Sequence, residues 1–247
     1  MNVLLITGAS RGIGAATARL AASRGYAVAV NYRANRQAAD RVVVDIEQDG
    51  GTAVALGADV TREEEIVRLF EAVERELGPV TALVNNAGIV DQQMRVEEMT
   101  LERLERMFAT NVFGAILCAR EAVRRMSTRH GGRGGAIVNV SSAAARLGSP
   151  GEYVDYAASK GAIDTFTIGL AKEVAAEGIR VNGVRPGIID TEIHAAGGEP
   201  GRIERIAPTL PLQRAGTVDE VAAAILWLLS DEASYITGTL LDIAGGR

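Results

Sequence analysis

The stretch Thr7-Gly8-Ala9-Ser10-Arg11-Gly12-Ile13-Gly14 governs the reading of this 247-residue chain. It follows a short apolar run, Val3–Thr7, and opens an alanine-rich stretch of helical character, Gly12–Arg24. Glycines let backbone come close to a pyrophosphate, and a helix N-terminus presents N–H donors and a partial positive charge. The spacing here is G-x-x-x-G-x-G, and glycine spacing alone also describes an ordinary tight turn. Its place after a strand and before a helix is what favours a nucleotide.

The same alternation continues along the chain. Strand-like runs are Val3–Thr7, Ala27–Tyr32, Ala53–Gly57, Ala82–Asn85, Ala136–Ser141, Arg180–Val184 and Leu240–Ile243. Between them lie helical stretches, Gly12–Arg24, Arg36–Gln48, Arg62–Leu77, Leu101–Met126, Tyr156–Ala176 and Val218–Leu229. Most of the strands are apolar throughout, as expected where both faces of a parallel sheet are covered. Gly25, Gly50, Gly78 and Gly178 fall where helices should stop. The pattern predicts an α/β fold, a single Rossmann-type domain over 1–247 with about seven parallel strands and helices on both faces. Asp190–Pro211 is the longest irregular stretch and directly follows a strand, so it is expected to be a lid on the substrate side.

Composition narrows the function. Hydrophobic residues make up 47% and charged residues 23%, ordinary for a globular chain. The formal net charge of −5 disfavours nucleic acid, which needs a basic face to neutralise phosphates. The longest apolar stretch, around Val221–Leu229, is far short of the roughly 20 residues that span a bilayer. Met1–Ile6 lacks the basic region of a signal peptide. Cys118 is the single cysteine, which rules out an internal disulfide and makes a cytoplasmic location the expectation. One Cys and two His leave little for a metal site, and none is expected. Of 26 basic residues only Lys160 and Lys172 are lysines, so each invites a reason.

The second strand ends Val30-Asn31-Tyr32-Arg33, where an NAD enzyme usually places an acidic residue for the ribose 2′-hydroxyl. Arg33 stands there instead, and Arg11 sits inside the glycine turn. Two guanidinium groups suit a 2′-phosphate, which favours NADP(H), with NAD(H) as the alternative.

Tyr156 and Lys160 are spaced i, i+4, which puts them on one helix face. A phenol titrates near 10, and a neighbouring ammonium would lower that value toward use as a base. Arginine could not relay a proton in the same way because it stays charged. Upstream, Ser141 and Ser142 end a strand, and alternation points them to opposite faces.

These residues, together with Asn85-Asn86-Ala87-Gly88, Asn111, and Pro186-Gly187 with Thr191, resemble the short-chain dehydrogenase/reductase family over essentially the whole chain. Arg146–Asp155 is similar to a bacterial subgroup labelled glucose 1-dehydrogenase-like or 3-oxoacyl-carrier-protein reductase-like. The resemblance implies that Tyr156 is the general acid/base, and that Lys160 lowers its pKa and binds the nicotinamide ribose. It implies that Ser142, rather than Ser141, hydrogen-bonds the substrate oxygen, and that Asn111 holds a water linking Lys160 to solvent. For the coenzyme it implies Gly8, Ser10, Arg11, Gly12, Ile13 and Gly14 at the pyrophosphate, and Arg33 near the ribose. Asp59 and Val60 would meet the adenine, Asn86, Ala87 and Gly88 would line the coenzyme, and Pro186, Gly187, Ile189 and Thr191 would fix carboxamide and pyrophosphate.

The expected chemistry is hydride transfer between nicotinamide and a carbonyl or secondary alcohol. The substrate stays open between a 3-oxoacyl thioester on a carrier protein, a sugar such as glucose and a small ketone. An acidic carrier would need a basic patch at the mouth, for which Arg95, Arg146, Arg202 and Arg205 are candidates. The resemblance also implies a homotetramer packed through Leu101–Met126 and Tyr156–Ala176. The competing reading is a nucleotide-sensing protein without turnover. His194, in the expected lid, is a candidate for substrate contact or for plain solvation.

Overall fold

Strand β1 (Val3–Ile6) runs through the middle of the molecule because neither of its faces tolerates water. Leu4 and Ile6 point to one side of the sheet, Val3 and Leu5 to the other, and all four are buried. The computed structural model describes residues 2–191, 197–199 and 201–247. Its sheet also contains β2 (Ala27–Tyr32), β3 (Thr52–Gly57), β4 (Ala82–Asn85), β5 (Gly135–Val140), β6 (Ile179–Pro186) and β7 (Leu240–Ile243). The order is β3-β2-β1-β4-β5-β6-β7, with every pairing parallel. The connection therefore reverses direction between β1 and β4, which opens a crevice at their carboxyl ends.

Helices cover both faces. On the first, α1 (Gly12–Ser23), α2 (Arg36–Gln48) and a late helix spanning Val218–Leu229 pack Ala18, Val42, Ile46, Val221 and Ile225 onto Leu4, Ile6, Val28 and Val138. On the second lie α3 (Glu63–Leu77), α4 (Leu101–Phe108), α5 (Ala115–Met126) and a long helix over Val154–Val174. Ile66, Leu69, Phe70 and Val73 of α3 recur at helical spacing, and all are buried. Val54 and Leu56 of β3 are only partly buried, because this strand forms an edge of the sheet.

Several expectations are corrected. Leu101–Met126 is not one α-helix: Ala109–Gly114 between α4 and α5 is π-helical. The long helix starts at Val154 and not Tyr156, and it ends at Val174 in a 3-10 turn. A short helix, α6 (Ala144–Leu147), precedes it, so the long helix is α7. Within the expected lid, Arg202–Ile206 is helical and becomes α8, and the late helix is α9. Residues 192–196 and 200 of that segment, His194 among them, lie outside the described residues. Among the described residues no helix is long and apolar enough to cross a membrane, and no group of His, Cys, Asp and Glu could hold a metal.

Candidate active site

The glycine turn is built by side chains from the neighbouring strands. Gly8 adopts φ +62°, and a Cβ there would stand 3.0 Å from the Ala87 Cα. A Cβ on Gly14 would meet the Asn86 Nδ2 at 2.6 Å, so the first turn of α1 lies directly against the loop after β4. Asn86 uses that amide to donate to the carbonyls of Thr7 and Gly8, both at 2.9 Å. The Thr7 hydroxyl accepts from the backbone N–H groups of Asn86 and Ala87.

Asn31, at the end of β2, is fully engaged. Its Oδ1 accepts from the Gly8 N–H, and its Nδ2 donates to the carbonyls of Leu56 and Ala58. Sequence reasoning passes over Asn31 because these partners are 23 to 27 residues away.

The N-terminus of α1 fits a phosphate. No side chain caps it and its first turn holds no acidic residue, so its leading N–H groups face outward into the crevice. By contrast α3 begins Glu63-Glu64-Glu65, and α9 is closed by a capping box of Thr217 and Glu220.

Tyr156 and Ser142 stand on the boundary between two cavities. The inner one is lined by Ile13, Asn86, Gly88, Ser142, Tyr156, Lys160, Pro186, Gly187, Ile189 and Thr191, which are expected coenzyme or catalytic residues, and by Val140 and Ser141, which are not. The outer one is lined by Val90, Ala143, Ala144, Leu147, Ser149, Tyr153, Ile188, Arg202 and Arg247, with Ser142, Tyr156, Pro186 and Gly187 as shared wall. Ser10, Arg11, Gly12 and Thr191 line a further cleft along the outside of α1. Gly8 and Ala87 support the turn from behind. Arg33, Asp59 and Val60 line none of these cavities: Arg33 is exposed at the end of β2, and the Asp59 carboxylate accepts from Thr61.

The structure distinguishes the two serines. Ser141 is buried, and its hydroxyl donates to the Lys160 carbonyl at 3.1 Å. Ser142 lines both cavities whereas Ser141 borders only the inner one, and the Ser142 Oγ accepts from the Ala144 N–H at 3.1 Å and hydrogen-bonds the Tyr156 phenol.

Asn111 lies in the π-helical segment and is buried. Its Oδ1 accepts from the Ile89 N–H at 2.8 Å, while its Nδ2 donates to the Ile89 carbonyl and the Ser159 hydroxyl. A Cβ on Gly88 would stand 3.4 Å from both the Asn111 Oδ1 and the Lys160 Nζ, so these two groups flank one glycine.

One electrostatic expectation is corrected. Burial pushes the Tyr156 phenol above its ordinary value, and the Ser142 hydrogen bond opposes this. The Lys160 Nζ stands 5.7 Å from the ring centroid and donates to the Val140 carbonyl at 2.7 Å. Burial pushes Lys160 itself down to about 8, with the Asp164 carboxylate pulling the other way.

The arginines expected at the mouth are all neutralised. Arg95 pairs with Glu97, Arg146 with Asp242, Arg202 with Glu152 and Glu199, and Arg205 with the same two glutamates. Arg202 is buried and stacks 5.2 Å from the Tyr153 ring. Tyr153, one turn before Tyr156, donates from its hydroxyl to the Gly197 carbonyl at 3.0 Å. Its i−3 spacing from Tyr156 was the only sequence signal for its place at the cavity.

A family model described as enoyl-(acyl carrier protein) reductase matches residues 8–247. An uncharacterized oxidoreductase of Escherichia coli, YgfF, is 60% identical over the full length of both chains. A 3-oxoacyl-[acyl-carrier-protein] reductase of Synechocystis is 38% identical, covering 99% of this chain and 96% of its own. Glucose 1-dehydrogenase 2 of Bacillus subtilis is 36% identical, over 98% and 93%. Among solved structures, a short-chain type dehydrogenase/reductase from Mycobacterium marinum superposes with a TM-score of 0.93 at 35% identity, covering 99% of this chain and 94% of that one.

Proposed function

Because the chain belongs to the short-chain dehydrogenase/reductase family and is thereby an NAD(P)-dependent oxidoreductase, we propose that it interconverts a small hydrophobic ketone and the corresponding secondary alcohol with NADP(H). The observation that carries this reading is the boundary position of Tyr156 and Ser142, shared by the coenzyme-side and outer cavities. A substrate oxygen in the outer cavity would reach both hydroxyls while its carbon faces the inner one.

The coenzyme supplies the hydride. Tyr156 gives its proton to the carbonyl oxygen in reduction and takes it back in oxidation. Ser142 donates a hydrogen bond to that oxygen as charge gathers on it. Lys160 offsets the phenolate left on Tyr156, and Asn111, across Gly88, positions the path by which the proton is restored. Gly12, Ile13 and Gly14 receive the pyrophosphate at the open end of α1. Arg11 and Arg33 provide charge for a 2′-phosphate at a β2 end that lacks an acidic residue.

The outer wall supports the substrate class. Val90, Ala143, Ala144, Leu147 and Ile188 give the outer cavity an apolar side that suits a ketone, and Ser149, Tyr153, Arg202 and Arg247 add polar groups to the same wall. Arg95, Arg146, Arg202 and Arg205 are each paired with carboxylates, so these four offer little free positive charge to an acidic carrier protein. Leu101, Phe113 and Ile168 are exposed on the α4–α5 and α7 faces, consistent with a tetramer packed through them. A lid role for the substrate-side segment is supported by two of its described residues, Gly197, whose carbonyl accepts from Tyr153, and Arg202, which donates to Glu152.

The test is turnover with NADPH and NADH on aliphatic and aromatic ketones, acetoacetyl thioesters and, with NADP, sugars. Reduction of ketones with NADPH preferred supports the reading. Thioester reduction alone overturns the substrate class, and tight coenzyme binding without turnover on any compound favours the nucleotide sensor.

A further inference from the structure

Behind Lys160 runs a line of alternating charge that the reaction described above does not use. Asp164 follows Lys160 by one turn of α7 and is 8% exposed. Its Oδ2 receives two bonds from Arg185 of β6, from Nε at 2.9 Å and from Nη2 at 2.8 Å. Its Oδ1 is buried and has no hydrogen-bond partner. Arg185 reaches on to Asp242 of β7 at 3.6 Å, and Asp242 pairs with the more exposed Arg146.

A buried carboxylate oxygen without a donor costs free energy unless its charge is used. Among the described residues, the buried cation without a carboxylate bonded to it is Lys160. The other groups facing Lys160 are neutral: the Val140 carbonyl of β5 and Ser141 just after it, Asn111 of the π-helical segment, Gly88 and the Tyr156 phenol.

We propose that Asp164, clamped by Arg185, is a positioning residue: the fixed counter-charge that holds Lys160 as an ammonium beneath Tyr156. Arg185 sets how much of that charge Lys160 feels, since one guanidinium shared between Asp164 and Asp242 neutralises Asp164 only in part. The electrostatic direction agrees, because Asp164 raises the Lys160 pKa against the effect of burial. The consequence for turnover rests on the proposed roles of Tyr156 and Lys160, whereas the charge relation does not.

The chain has two lysines, so the test can read Lys160 directly. Protein labelled with 15N at lysine Nζ gives two signals, and Lys172→Arg identifies the one to disregard. In the unsubstituted protein the Lys160 signal should titrate near 8. Asp164→Asn should lower that midpoint by about one pH unit, and Asp164→Glu should restore it. Arg185→Met, which leaves Asp164 in place, should raise it. Opposite displacement by these two neighbours is not something a purely structural role produces. A midpoint unmoved in both Asp164→Asn and Arg185→Met, with thermal unfolding confirming a folded chain, overturns the proposal. If Asp164→Asn does not fold, Arg185→Met decides alone. Absence of turnover on every carbonyl tested would count against the proposed function and leave the titration result standing.

Discussion

The Arg103 guanidinium grips both carboxylate oxygens of Asp155, at 2.7 and 3.2 Å, in the position immediately before Tyr156. Both side chains are almost wholly buried, and the third guanidinium contact goes to the Gln92 carbonyl at 2.7 Å. The pair thus joins α4, which runs on into the π-helical segment of Asn111, to the loop after β4 that carries Gly88 and the first turn of α7 that carries Tyr156. Removing one partner leaves an uncompensated buried charge, which costs about 3–5 kcal/mol. Asp155→Ala should therefore lower the denaturant midpoint sharply. Arg103→Met with Asp155→Leu should recover much of the loss, and chemical denaturation of the single and double variants checks both.

Tyr156→Phe should cut turnover by roughly a hundredfold or more while coenzyme binding is retained. Ser142→Ala should reduce kcat in the same way. Ser141→Ala should leave the chemical step nearly intact, since that hydroxyl is spent on the Lys160 carbonyl. Steady-state kinetics beside coenzyme fluorescence titration separates the three.

Replacing Arg11 and Arg33 together with Ala should weaken NADPH binding by about ten- to a hundredfold, the worth of charged hydrogen bonds of about 1.5–3 kcal/mol. NADH affinity should change little. Equal losses for both coenzymes would show that the arginines do not read the 2′-phosphate.

Lys160 has a stability cost with a defined pH dependence. Its folded-state value of about 8 lies below the ordinary 10.5, so between those limits the unfolded chain binds more protons and stability rises with pH. Lys160→Met should stabilise the protein at pH 7, by about 1–3 kcal/mol, while abolishing turnover. The gain should shrink as pH approaches 10.5. Urea unfolding at several pH values reads this directly.

Cys118 should be silent. It is buried, and burial pushes its thiol up to about 12. An aromatic disulfide reagent at pH 8 should react with it only after denaturant has opened α5, and rapid reaction of the native protein would contradict the packing described here.

The sheet was readable because each strand carries its own evidence. The run Val3-Leu4-Leu5-Ile6 is apolar at every position, and burial on both faces is the state that rewards this. The Tyr156–Lys160 spacing survives translation into structure for a similar reason, being local to one helix. What escaped the sequence is mostly long-range pairing. Arg103 and Asp155 are 52 positions apart, and Asp164 and Arg185 are 21. Either arginine, read alone in an arginine-rich chain, looks like surface. Helices α6 and α8 are too short to establish a periodicity, and Ala109–Gly114 keeps an apolar pattern that a plain α-helix would also show.

That π-helical segment sets a geometric condition on the chain. A π turn holds extra backbone within one helical revolution, so residues on either side of it are rotated relative to an uninterrupted α-helix. Arg103 upstream faces Asp155, and Cys118, Ala119 and Ala122 downstream face the sheet, only with that rotation in place. Deleting a single residue between 109 and 114 would give a more regular helix, yet swing one half by about 100° against the other. The wider turn is therefore a phase adjustment, and the tolerance for insertion or deletion along this helix is set by angle and not by length.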